Sequence, residues 1–117
     1  MIPIRNIRRR YLLFDVNSET THDEKEVWET IRNSIQGLYG VKGFSLIDPN
    51  LIEYSQSNSA GIIRCTHDME RYLRAALAYI TDVDGKPAAI RISRSSGTIH
   101  ALRKKEGLDK PKKEAIK

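Results

Sequence analysis

The spacing of apolar and polar positions divides the chain into elements. Residues 9–16 alternate, with Leu12, Phe14 and Val16 on one side and Tyr11, Leu13 and Asp15 on the other. Apolar groups on both sides predict a central strand. Thr21 followed by Glu24, with Asp23 and Glu26 in the first turn, predicts a capping box and a helix starting near His22. Val27, Trp28, Ile31, Ile35 and Leu38 recur at helical spacing, and Gly37 and Gly40 mark the expected stop. Residues 41–49 read as irregular or as one extra turn ending at Pro49. Leu51 to Tyr54 reads as a second strand with Ile52 and Tyr54 on one side. The small polar run 55–59 is a hairpin loop into a third strand, 61–66, with Ile63 and Cys65 opposite Ile62 and Arg64. Met69, Tyr72, Leu73, Ala76, Leu77 and Ile80 define a second helix, capped from Thr66 to Asp68. Asp84-Gly85 turns the chain into a fourth strand, 87–93, with Ala88, Ile90 and Ile92 inward and Ala89 and Arg91 outward. Thr98 caps a short third helix to Lys105 with Ile99 and Leu102 as its apolar contacts.

Strand, helix, strand, strand, helix, strand with right-handed crossovers gives an α+β fold. The expected form is a ferredoxin-like βαββαβ sandwich: a four-stranded antiparallel sheet in the order 4-1-3-2, helices on one face and an extra C-terminal helix. The expected domain is residues 1–106, followed by a basic tail, 107–117, whose composition predicts disorder. In that order strand 4 lies antiparallel to strand 1, so Arg8, Arg9 and Arg10 should meet the segment from Arg94 to Lys105.

Charge gives this topology its interest. Residues 1–10 carry four arginines and no acid, and residues 86–117 carry ten Lys or Arg against three acids; the stretch between holds six bases and twelve acids. Ends brought together form a cationic edge with an acidic first helix behind the sheet, an arrangement that suits a row of phosphates. The 117 residues, 39% apolar, support one core. A single cysteine, Cys65, excludes an intrachain disulfide, and no long apolar stretch follows Met1, so a soluble cytoplasmic protein without signal peptide or membrane span is expected.

The segment from Arg91 to Lys105 is richest in chemistry: Arg91, Arg94 and Arg103 as forks for phosphate, the small residues Ser96, Gly97 and Thr98, and a helix start. An ordinary solvated strand-to-helix turn is the plain alternative. The open sheet face should show Tyr11, Leu13, Leu51, Ile62, Arg64 and Arg91. Ile62 and Arg64 stand where RNA-recognition modules of this topology use stacking aromatics, so base stacking in that manner is disfavoured. Leu13, Leu51 and Ile62 are candidates for a partner-protein surface, for cover by the third helix, or for packing alone. Asp15, Asp82 and Asp84 do not converge well enough for two-metal chemistry, and no metal site is expected. His22, His67 and His100 are dispersed and form no catalytic dyad, the first two reading as surface or capping residues. Cys65 reads as a small core residue.

Three runs carry a family resemblance: Arg9-Arg10-Tyr11-Leu12-Leu13-Phe14, Gly61-Ile62-Ile63-Arg64-Cys65, and Arg91 through Ser96-Gly97-Thr98-Ile99 before a basic helix. Over residues 8–105 the chain resembles the small protein subunit, protein component 2, of archaeal and eukaryal ribonuclease P. The resemblance implies a place in the ribonucleoprotein that removes the 5′ leader of precursor tRNA. It implies ribonuclease P RNA as partner, precursor tRNA as an indirect one, and pairing with the TIM-barrel protein subunit, as a heterotetramer in one arrangement. It also implies that the RNA performs hydrolysis with Mg²⁺, so the protein is an enzyme only as a subunit, with no catalytic residue and no cofactor of its own. By position, the RNA-facing candidates are Arg8, Arg9, Arg10, Arg64, Arg91, Arg94, Ser96, Gly97, Thr98, His100, Arg103, Lys104 and Lys105. His100 departs from the family pattern, where Lys or Arg is usual. Three other functions on the same fold suit the residues less well. A stand-alone RNA-binding module lacks its aromatics. An acyl-phosphate hydrolase would need a glycine-rich loop where Asn17-Ser18-Glu19-Thr20-Thr21 stands, and a small-ligand regulatory domain rests on topology alone.

Overall fold

The computed structural model describes residues 8–106, with side chains as far as Leu102. In chain order the elements are β1 (Arg9–Ser18), α1 (Glu24–Ile47), β2 (Asn50–Ser55), β3 (Ala60–Thr66), a short 3-10 turn (His67–Met69), α2 (Glu70–Ala78), β4 (Asp82–Val83), β5 (Lys86–Ser96) and α3 (Ile99–Glu106). The antiparallel sheet has five strands in the order β2-β3-β1-β5-β4, where four were expected. The addition is β4, which pairs with the start of β5 across Asp84-Gly85, both at positive φ (53° and 79°). Two such residues form the type I′ turn that matches strand twist. Two residues are too few to show a period, so only the Asp-Gly pair signals this strand in the sequence.

α1 and α2 cover one face. Leu12, Phe14 and Val16 of β1, Ile63 and Cys65 of β3, and Ala88 and Ile90 of β5 pack there against Val27, Ile31 and Ile35 of α1 and Leu73, Ala76 and Leu77 of α2. The two helices are joined by hydrogen bonds from Ser34 Oγ to the Ala76 carbonyl (2.7 Å) and from the Tyr39 hydroxyl to the Tyr72 carbonyl (3.1 Å).

The start of α1 lies two residues later than the sequence suggested. Asp23, not Thr21, is the N-cap: its carboxylate accepts from the Glu26 N–H (2.8 Å) and the Glu26 side chain accepts from the Asp23 N–H (3.3 Å). The displaced frame puts His22 inside the protein at 3% exposure, correcting its reading as a surface residue. There Nδ1 faces Glu26 Oε1 (3.2 Å) and Nε2 faces the hydroxyls of Ser18 (3.2 Å) and Thr20 (3.3 Å). A carboxylate only accepts, so Nδ1 carries a proton toward Glu26, and the Thr20 hydroxyl can donate to Nε2. The far end differs too: helix does not stop at Gly37 or Gly40 but kinks at Gly40 (φ 76°, ψ −178°) and resumes to Ile47. Glycine adopts that backbone without a Cβ clash, so it bends α1 instead of ending it.

Candidate nucleic-acid interface

The strand pairings bring the two charged regions together. Tyr11 pairs with Ser96 and Leu13 with Arg94 along β1 and β5, while Tyr11 pairs with Arg64 and Leu13 with Ile62 along β1 and β3. Directly paired residues share a face, so the face turned away from α1 and α2 carries the rows Arg64–Tyr11–Ser96, Ile62–Leu13–Arg94 and Ala60–Asp15–Arg91. Simple alternation from Arg91 would turn Arg94 toward the helices. A bulge prevents this: Phe14 pairs with Ile92 and Leu13 with Arg94, leaving Ser93 as the extra residue. Ser93 Oγ donates to the Leu13 carbonyl (3.3 Å), so the irregular position is held by a hydrogen bond. Arg91 and Arg94, both exposed, thus stand on one face.

α3 lies on that same face. Leu102, fully buried, packs with Leu13 and Ile62, with Tyr11, Ile52 and Ile99 around them. Leu13 (6% exposed) and Ile62 (0%) are therefore covered by this chain's own helix and do not form an open patch. Leu51 is not on this face at all. Leu51 pairs with Ile63 and Glu53 with Ile62, so a bulge at Ile52 turns Leu51 and Tyr54 toward α1 and leaves Ile52 with α3. The expectation that Ile52 and Tyr54 share a side is corrected for the same reason.

α3 starts as its sequence requires. Thr98 Oγ1 accepts from the Ala101 N–H (3.1 Å), and Ser96 Oγ accepts from the Thr98 N–H (3.3 Å), so both hydroxyls are used in forming the turn. Gly97 and His100 are exposed. Arg103, Lys104 and Lys105 belong to α3, but their side chains lie outside the described residues, as do Arg5 and the whole 107–117 tail.

The N-terminal arginines divide. Arg8 is exposed, and its carbonyl accepts from the His67 N–H (2.8 Å). Arg9 pairs with Asp48 at the C-cap of α1 (2.6 Å). Arg10 turns to the helix side, where Nε donates to Glu70 Oε1 (3.1 Å) and Nη2 to Ser95 Oγ (2.8 Å). Glu70 also accepts from Arg74 Nε (2.8 Å). Burial works against ionisation of Glu70, but Arg74, Arg10 and a hydrogen bond from Ser95 outweigh it and hold the carboxyl below its usual range. Charge on the first strand is thus partly spent inside the protein, which composition could not reveal. Nor could it reveal Glu70 and Ser95 as members of this site, since they meet Arg10 only through the fold.

Arg64 is half-buried, and its Nε lacks a hydrogen-bond partner among the described residues. Burial pushes the Cys65 thiol up to about 12, with the charge of Glu70 adding to it, which fits a core residue and not a nucleophile. Among the described residues no group of three or more His, Cys, Asp or Glu side chains could hold a metal ion. Among them, too, no helix is long and apolar enough to cross a membrane.

Fold and site together define a small α+β protein with one sheet face packed by two helices and the other capped by a basic helix and flanked by arginines. The model of the Rpp14/Pop5 family matches residues 10–106, and the chain belongs to that family. It is 38% identical over 103 residues to the ribonuclease P protein component 2 of Methanocorpusculum labreanum, covering 88% of this chain and 69% of the relative. The protein of the same name from Pyrococcus horikoshii is 33% identical over 103 residues, covering 88% and 86%. Among solved structures, a chain in the cryo-EM structure of yeast ribonuclease MRP shares the fold with a TM-score of 0.67 at 13% identity, covering 97% of this chain and all of that one.

Proposed function

We propose that this chain is a protein subunit of ribonuclease P, acting in removal of the 5′ leader of precursor tRNA by binding and stabilising the RNA of the particle. Membership of the family of its component 2 relatives supports the particle. The observation that carries RNA contact is the placement of Arg64, Arg91 and Arg94 on the one sheet face from which the basic helix α3 starts. Guanidinium groups set on a rigid sheet neutralise phosphates without rearranging, which lowers the repulsion between RNA helices that must come close. Arg64, half-buried at the β1–β3 pairing, brings a further guanidinium to the same face.

On this reading residues 1–106 form one ferredoxin-like RNA-binding unit with an added edge strand, working in the cytoplasm. The RNA supplies the chemistry with its own Mg²⁺, and the protein contributes affinity and rigidity. The TIM-barrel subunit, as a heterotetramer or otherwise, is the protein partner. Because α3 covers Leu13 and Ile62, that partner docks elsewhere.

The test is to replace Arg91, Arg94, Lys104 and Lys105 with Ala and measure binding to the ribonuclease P RNA of the same organism across a salt series. The slope of log affinity against log salt should flatten by roughly 0.7–0.9 for each lost phosphate contact. An unchanged slope would remove this surface from the interface. Leader removal by the reconstituted particle at limiting Mg²⁺ should fall in parallel.

A further inference from the structure

Arg10 belongs to the set expected to meet RNA, yet two of its three guanidinium nitrogens are held by the protein itself. Nε donates to Glu70 at 3.1 Å and Nη2 to Ser95 Oγ at 2.8 Å. The third, Nη1, lies 3.8 Å from where a Cβ on Gly97 would stand, so this nitrogen meets the strand-to-helix turn at the residue that has no side chain to cover it. Glu70 is fixed in turn by Arg74 at 2.8 Å and is 20% exposed. One chain of contacts therefore links the first turn of α2, the start of β1 and the turn 95–98 that launches α3.

We infer that Glu70 is a positioning residue for RNA binding: it locks the Arg10 guanidinium against Ser95 and Gly97, which orders the 95–98 turn and presents the Nη1 edge to a phosphate lying over Gly97. The inference rests on the functional reading above. It makes a prediction opposite in sign to simple electrostatics. Removing a carboxylate from beside a polyanion site should strengthen binding through charge alone. Removing a group that orders the binding fork should weaken it, because the fork must then be immobilised during binding.

The experiment compares wild type, Glu70→Gln and Ser95→Ala, each as the full chain, by two measurements. Glu70→Gln keeps shape and removes charge, while Ser95→Ala cuts the same linkage, at both Arg10 and Glu70, without changing charge or any residue of α2. Amide hydrogen exchange of the free protein should quicken at residues 96–98 in both variants while the β1–β3 ladder keeps its protection. Affinity for the ribonuclease P RNA of the same organism should drop about five-fold in each, the worth of one lost net hydrogen bond. The salt slope should fall by up to about 0.9, one phosphate contact, which general loosening of the fold would not produce. Unchanged exchange at 96–98, or equal or tighter RNA binding by Glu70→Gln, would overturn the inference, the latter making Glu70 a competitor for Arg10. Wild-type protein that fails to bind this RNA would instead bring down the functional reading, and the binding half of the inference with it.

Discussion

Replacing Leu102 with Ala should release α3 from the sheet while leaving the rest of the fold in place. Leu102 is the one fully buried side chain among the described residues of the eight-residue α3, and it closes over Leu13 and Ile62 on the face opposite the main core. The substitution removes about three buried carbon groups at ~0.8 kcal/mol each, about 2.4 kcal/mol, equivalent to about 50-fold in the docking equilibrium. A helix this short has little stability of its own in water, since isolated helices below roughly 12–15 residues are marginal. Loss of docking is therefore loss of the helix. The main core, built from α1, α2 and the other sheet face, does not touch the deleted atoms. Hydrogen exchange should report the separation: the amide of residue 102, bonded in the wild type to the Thr98 carbonyl at 3.3 Å, should exchange up to about 50-fold faster in the variant, with much smaller changes at Leu12 and Ile63. RNA affinity should fall because the basic helix loses its fixed position. Undiminished protection in α3, or protection lost equally in α3 and the β1–β3 ladder, would refute the view that Leu102 is the main anchor of α3 as a separate layer.

Gly61→Ala should destabilise the fold by about 1–3 kcal/mol in urea unfolding, because an added Cβ would lie 2.6 Å from the Glu53 carbonyl oxygen and 3.0 Å from the Phe14 ring, and a backbone atom cannot swing aside. A neutral result would mean that β2 gives way at its bulge. Glu70, with its carboxyl held below the usual range, contributes stability that is present above the unfolded value near 4.5 and is lost as pH falls through the lower folded value. The stability gap between wild type and Glu70→Gln should therefore narrow on acidification from pH 6 toward the folded pKa, and a constant gap in urea midpoints would contradict the pairing. Cys65, fully buried and with its thiol pushed up to about 12, should react with a thiol reagent at pH 8 only as fast as the protein opens. Immediate labelling of folded protein would place it at the surface.

Much of the fold could be read from the sequence. Val27, Ile31 and Ile35 at helical spacing face the core as expected, as do Leu73, Ala76 and Leu77, and the alternation of β1 and β3 separates Leu12, Phe14, Ile63 and Cys65 from Leu13 and Ile62 as the pattern requires. Where the reading failed, one extra residue, one special backbone angle or one rival cap was responsible. The bulge at Ile52 reversed the side of Leu51, Gly40 bent a helix it was expected to end, and Asp23 took the cap from Thr21. Each alternative satisfies the local pattern about equally well, so packing chooses.

What the sequence determined alone is the periods of its strands and helices, the cap on α3, and the concentration of positive charge near both ends, because these depend on neighbours along the chain. Tertiary structure decided what those charges do. Pairing of β1 with β5 puts Arg94 beside Leu13, a bulge at Ser93 keeps it on the outer face, and the approach of α2 withdraws Arg10 into a network with Glu70 and Ser95. A charge acts on whatever lies within a few ångströms of it, and for residues 60 to 85 positions apart only folding sets that distance.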